Sequence, residues 1–165
     1  MQLRPNAGIT RGSVWLVFIE KIIPFTGASL FMKIASRYLF VFACVTGAMS
    51  VLTAAYVAHQ SVLEEAVLRS LQSALQLQQF HALALLLTAW TARESGFNWS
   101  RGLAAAGFVL GLVLFSFNIE LRHLAGVELF RPLTPYGGMA FVLGWLALAV
   151  SAFQRHSQSG KDTPA

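Results

Sequence analysis

YLFVFACVTGAMSVLTAAYVA, residues 38–58, contains no Asp, Glu, Lys or Arg. At about 1.5 Å of rise per helical residue, such a run covers the roughly 30 Å hydrocarbon core of a bilayer. Three further stretches have the same character: Ala74–Ala92, Gly102–Ile119 and Leu133–Phe153. Together they predict an all-α fold, a bundle of four transmembrane helices. Composition points the same way. Of 165 residues, 56% are hydrophobic and 12% charged, against roughly 25% charged in ordinary soluble domains. Too little polar surface remains to wrap a water-soluble globule, and one domain is the economical count.

The formal charge of +5 resides in loops and tails. With both termini in the cytoplasm, the inner side collects Arg4, Arg11, Lys21, Lys33, Arg37, Arg93, Arg101, Arg155 and Lys161. The outer side keeps Arg69, Arg122 and Arg131. This positive-inside bias orients the chain, and Trp90 and Trp99 flank the short loop between helices 2 and 3 at headgroup depth. No dense Lys/Arg cluster with interleaved aromatics is present, so nucleic acid is not an expected partner. The lipid bilayer is, with basic residues against anionic headgroups. Cys44, the single cysteine, cannot form an internal disulfide and reads as a small buried apolar side chain.

Between the first two apolar stretches, Ser61 and Glu64 fit a capping box. Leu63, Val67, Leu68, Leu71, Ala74 and Leu75 then recur at helical spacing, with Glu64, Glu65, Arg69 and Gln72 on the other face. The pattern predicts a short amphipathic interfacial helix between helices 1 and 2, lying flat or extending helix 2. Upstream, Val14–Ile19 is apolar, but Glu20, Lys21 and Pro24 interrupt it, and a spanning helix there is not expected. Met32-Lys33-Ile34-Ala35-Ser36-Arg37 reads as a natural start. Residues 1–31 are therefore expected to be an interfacial or disordered lead, or to fall outside the mature protein. The transmembrane domain is placed at 32–154, and a disordered cytoplasmic tail at 155–165.

Three blocks resemble a known family. Gln79-Phe80-His81-Ala82-Leu83-Ala84-Leu85-Leu86 is similar to its Tyr-His-Ala-Leu-Ala-Leu-Leu signature opening helix 2. Leu133-Thr134-Pro135-Tyr136-Gly137-Gly138-Met139-Ala140 is similar to its Thr-Pro-x-Gly-Gly block opening helix 4. Ala55-Tyr56-Val57-Ala58-His59 stands where the family has Gly-Ala-Phe-Gly-Ala-His. The family is the bacterial inner-membrane group called domain of unknown function 423, related to mitochondrial transmembrane protein 256. Ala54 and Val57 replace its usual glycines, and Phe117 and Glu120 replace a Gly and a Tyr of helix 3. The resemblance implies a four-helix protein of the bacterial inner (plasma) membrane with no established activity.

With the termini inside, the outer end gathers His59, Gln78, His81, Asn118, Glu120, His123 and Thr134 from four elements. Polar groups at membrane depth satisfy one another or serve a ligand, so His59, Gln78, His81, Asn118, Glu120 and Thr134 are the candidate ligand-binding residues. Glu120 and His123 stand at the ExxH spacing, but no second such pair and no HxxxH pair occurs to complete a helix-borne ligand set, so neither a metal nor any other cofactor is expected. The simpler expectation is that His59 and His81 hydrogen-bond helix ends and each other. Thr134 with Pro135 reads as an N-cap and first helical residue; an anion-binding helix start is the alternative. Gly137 and Gly138 would let another segment pass close to that start. Gly107-xxx-Gly111, Ala43-xxx-Gly47 and Ala140-xxx-Gly144 are small-xxx-small steps that let helix backbones approach closely. The partner of each step is left open, within the chain or in a second copy.

No nucleophile elbow, P-loop or dinucleotide fingerprint occurs, so no catalytic residue is expected. The favoured function is a non-enzymatic structural or accessory membrane protein, packed against itself as a homo-oligomer or against a larger membrane complex. The alternative is a small-molecule, lipid or metal-binding protein using the outer-end cluster.

Overall fold

The computed structural model describes residues 26–60, 63–95, 98–128 and 131–159, and among these there is helix and no strand. Helix α1 is Thr26–Ala58, α2 Glu65–Ser95, α3 Trp99–Gly111, α4 Asn118–Ala125 and α5 Thr134–Ser159. A π-helical segment, Leu112–Phe117, joins α3 to α4 without a break, and a 3₁₀ turn, Arg131–Leu133, leads into α5. The described residues thus make four long rods. The described residues through Ile34 fall in one unit, and those from Ala35 onward in a second.

Three rods are long and apolar enough to cross a membrane: Met32–Ala58, Trp99–Ala125 and Thr134–Gln154. The second rod is not among them. Gln76, Gln78, Gln79 and His81 sit near the middle of α2 and lower its hydropathy, although Ala82–Leu87 is wholly apolar. Of the two forms left open for the amphipathic segment before it, lying flat or extending helix 2, the structure shows the second. Its residues from Glu65 onward form the first turns of α2, because no Gly or Pro interrupts the run. Ser61 of the expected capping box lies outside the described residues.

Two other boundaries shift. Residues 26–31 of the expected lead are helical and continuous with α1, and the remainder of the lead lies outside the described residues. Helix α5 runs on to Ser159, so the first five residues assigned to a disordered tail are helical.

The closest packing is between α3 and α5. A Cβ on Gly107 would stand 2.8 Å from Ala140 O and from Gly144 Cα, and one on Gly144 would stand 2.9 Å from the Phe108 ring. Side chains there are excluded by backbone, which is why two small-xxx-small steps face each other. A Cβ on Gly111 would run into the Phe141 ring, and one on Gly137 would come within 2.7 Å of Phe115 N. Gly137 therefore lets α5 lie directly on the π-helical segment, as the close passage expected of the Gly pair requires. Gly138 is looser, its nearest neighbour being Phe115 at 3.9 Å. The third step behaves differently. Ala43 is buried, but Cys44, expected to be buried, is exposed, and a Cβ on Gly47 would meet nothing within 4 Å.

Helix α1 joins the unit through side chains, with Ala43, Leu39 and Phe42 in one apolar cluster and Val57 in another. The Phe42 ring meets Phe117 edge-on at 6.4 Å. Cavities remain along its flank. One lies between Gly47 and Ala82, and another between Thr53 and Glu120. At the far end of α4, Gly126 takes φ +69°, a left-handed cap whose N–H reaches Leu121 O.

Candidate functional site

His81 occupies the best-defined polar position. It stands on the buried side of α2, one turn beyond Leu77, and its Nδ1–H donates to Leu77 O at 2.7 Å. Its Nε2 accepts from Trp145 Nε1 at 3.2 Å. That pair of bonds requires the neutral Nδ1–H tautomer, since a second ring proton would face the indole donor. The ring lies flat on Phe141, centroids 3.6 Å apart and planes 14° from parallel. Phe80 meets it edge-on at 5.4 Å, and Phe108 lies at 5.9 Å. The imidazole is thus a bridge between α2 and α5 with both nitrogens occupied. It does not bond His59, which sits exposed in the turn after α1, its backbone N–H bonded to Tyr56 O at 3.1 Å.

A second pairing joins two of the candidate residues. Asn118 Nδ2 donates to Thr134 Oγ1 at 2.8 Å and to Leu114 O at 3.2 Å, tying the start of α4 to the start of α5. The widened turn of the π-helical segment accompanies burial of Ser116, Asn118, Ile119 and Glu120 together. Such bulges re-aim side chains relative to a regular helix. Ser116 and Glu120 are both buried.

Four groups in this region stay without partners, one of them His123 Nε2. Gln78 is fully enclosed, and neither its Oε1 nor its Nε2 makes a hydrogen bond. The same holds for Ser116 Oγ and Glu120 Oε1. Glu120 lines a cavity of about 330 Å³ with Met49, Thr53, Phe117, Leu121, Leu124 and Ala125. Of the six candidates, then, the structure joins Asn118 to Thr134 and sets His81 apart in an aromatic box. Gln78 and Glu120 are buried without partners, and His59 is left exposed. Among the described residues, no three His, Cys, Asp or Glu side chains are grouped closely enough to hold a metal ion.

Two polar features were missed by the sequence reading. Gln154 Oε1 accepts from Asn98 Nδ2 at 3.0 Å and from Ser100 Oγ at 2.8 Å, closing α3 against α5 at the opposite end. Asn98 also caps α3, its Oδ1 accepting from Arg101 N at 2.9 Å. An Asn two residues before Ser100 was a readable cap signal. Gln154, at the edge of a polar tail, carried none. The other feature is a groove of about 640 Å³ between the end of α1 and the start of α2, edged by Gln60, Gln72, Gln76 and Gln79.

Residues 53–138 match a family model described as a protein of unknown function, DUF423. The UPF0382 inner membrane protein YgdD of Escherichia coli K12 is 33% identical over 124 residues, 72% of this chain and 92% of that relative. A UPF0382 membrane protein of Haemophilus influenzae is 30% identical over 114 residues, 68% of this chain and 90% of its own. The UPF0382 membrane protein SH2409 of Staphylococcus haemolyticus is 30% identical over 110 residues, 64% and 87% of the two chains. No solved structure matches.

Proposed function

The chain belongs to the DUF423 family, and on that ground we propose that it is a non-enzymatic accessory protein of the bacterial inner membrane. It crosses the membrane four times with both termini in the cytoplasm, and it packs against a second copy or a larger membrane complex. The observation that carries this reading is an inverted polarity. Val51 and Leu52 of α1, Leu83 and Leu87 of α2, and Val142, Leu143 and Leu146 of α5 are exposed, while Thr46, Ser50, Gln78, Thr88 and Ser116 are buried. Water would reverse that order, and lipid favours it.

The buried hydroxyls support a structural interior. Ser50 donates to Gly47 O at 2.7 Å, Thr88 to Ala84 O at 2.7 Å, and Ser151 to Leu148 O at 2.6 Å. Each caps a carbonyl of its own helix, as spanning helices do with Ser and Thr. Helix α2 crosses as the fourth span by turning Gln78 and His81 inward and presenting Phe80, Leu83, Leu87 and Trp90 to the acyl chains. Its first turns, with the exposed Arg69–Glu65 ion pair at 2.8 Å, then stand at the outer interface. His81, the group best suited to acid–base work, has both ring nitrogens committed to the fold.

Two experiments test this. Purification from native membranes in mild detergent should recover one stoichiometric protein partner or a defined homo-oligomer. Bound metal or haem that disappears in His81→Ala would overturn the accessory role. In a Cys44→Ala background, Gln72→Cys should react with an impermeant thiol reagent outside intact cells and Ser157→Cys should not. The reverse pattern would invert the topology.

A further inference from the structure

Glu120 is the one carboxyl buried within the apolar part of the described helices, 8% exposed, and it has no hydrogen bond or ion pair. Arg122 and His123, its neighbours along α4, form no ion pair with it. The carboxyl lines the cavity of about 330 Å³ between α1 and α4, whose other walls are Met49, Thr53, Phe117, Leu121, Leu124 and Ala125. A carboxylate enclosed by hydrocarbon with nothing to compensate it is costly, and such residues in spanning helices mark sites of binding or passage. The cost is relieved either by a proton on the carboxyl or by a donor that carries positive charge, and only the second makes use of the cavity beside it. An apolar wall around a single acceptor selects a molecule with one cationic donor on an apolar body.

We propose that this cavity binds an amphiphilic amine, with its ammonium paired to Glu120 and its hydrocarbon against Met49, Phe117, Leu121 and Leu124. At about 30 Å³ per water-sized group, the volume holds roughly ten such groups. That suits a short alkylamine, or the head and first carbons of an aminophospholipid, but not a whole lipid. Both sources present the same ammonium. The site is independent of whether the protein has an accessory partner.

Native mass spectrometry of the full chain in mild detergent tests it, with decylamine as the probe and decanol as the uncharged control. Wild type should bind one equivalent of decylamine. Glu120→Gln, which keeps size and removes charge, should bind it at least roughly tenfold more weakly. Leu124→Trp, which fills the cavity and keeps the carboxyl, should do the same. If Leu124→Trp does not fold, Glu120→Gln decides. A hydrophobic carbodiimide should label Glu120, and decylamine should protect it. Phosphatidylethanolamine that competes with decylamine identifies the lipid headgroup as the source, and absence of competition identifies a free amine. Decylamine binding to Glu120→Gln within twofold of wild type would overturn the proposal. So would decanol binding as tightly as decylamine, or no binding to wild type.

Discussion

His81 shows how a buried histidine is fixed by its neighbours. Leu77 O takes its Nδ1 proton, Trp145 supplies the donor for Nε2, and Phe141 covers the ring face at 3.6 Å. His81→Phe keeps the stack but leaves the indole N–H without its acceptor. It should lower thermal stability by about 1–3 kcal/mol, the cost of stranding a buried donor. Because Trp145 is 38% exposed, the lower end of that range is expected, together with a shift in its fluorescence. The Asn118–Thr134 bond can be read by a double-mutant cycle. Asn118→Leu and Thr134→Val should each destabilise the protein, and their combined effect should fall short of the sum by about 0.5–3 kcal/mol. Strict additivity would show that the 2.8 Å contact contributes nothing on its own. The sequence marked all three residues as polar groups at membrane depth. It could not pair them, because His81 and Trp145 are 64 positions apart and the bond exists only where α2 meets α5.

Glycine separates the helices into tight and loose contacts. At Gly107 an added Cβ would strike Ala140 O and Gly144 Cα, both backbone atoms, at 2.8 Å. Backbone cannot swing aside as a side chain can, so Gly107→Ala should cost about 1–3 kcal/mol of stability. At Gly47 nothing lies within 4 Å, so Gly47→Ala should be neutral or slightly stabilising through helix propensity. Thermal unfolding of the two variants in the same detergent checks both at once. The three small-xxx-small steps looked alike in the sequence, and only their neighbours distinguish them. Helix α2 offers a separate test. As an isolated segment in a membrane-insertion assay, residues 74–92 should insert less efficiently than residues 133–153. Gln76, Gln78, Gln79 and His81 raise the cost of entering lipid, and the fold relieves it by burying Gln78 and His81. Equal insertion would show that α2 needs no shelter.

At the scale of the whole molecule, polarity is distributed for lipid. Large apolar side chains line the outside of α1 and α5, and small hydroxyls and amides share the interior with Ala, Leu and Phe. The protein should therefore stay with the membrane pellet after alkaline carbonate washing, and release into the supernatant would refute membrane integration. The middle rod, Trp99–Ala125, is the most buried of the three apolar spans, which places it at the centre of the packing. The loosest seam runs along α1, where the Glu120 cavity lies.

Local chemistry alone determined the helical class, the membrane setting and the approximate position of each rod, because runs of uncharged apolar residues with few breakers allow little else. Membership of a family was likewise readable, in the blocks around His81 and Thr134. What only the tertiary structure decided was partnership. Packing chose Trp145 over His59 for His81, joined Gly107 to Gly144 within one chain, and left Glu120 without a mate. It also merged the expected interfacial helix with α2 and opened the π-helical turn on which Gly137 rests. Those outcomes depend on rotation and register between helices, which are set by contacts between distant residues and leave no periodic trace along the chain.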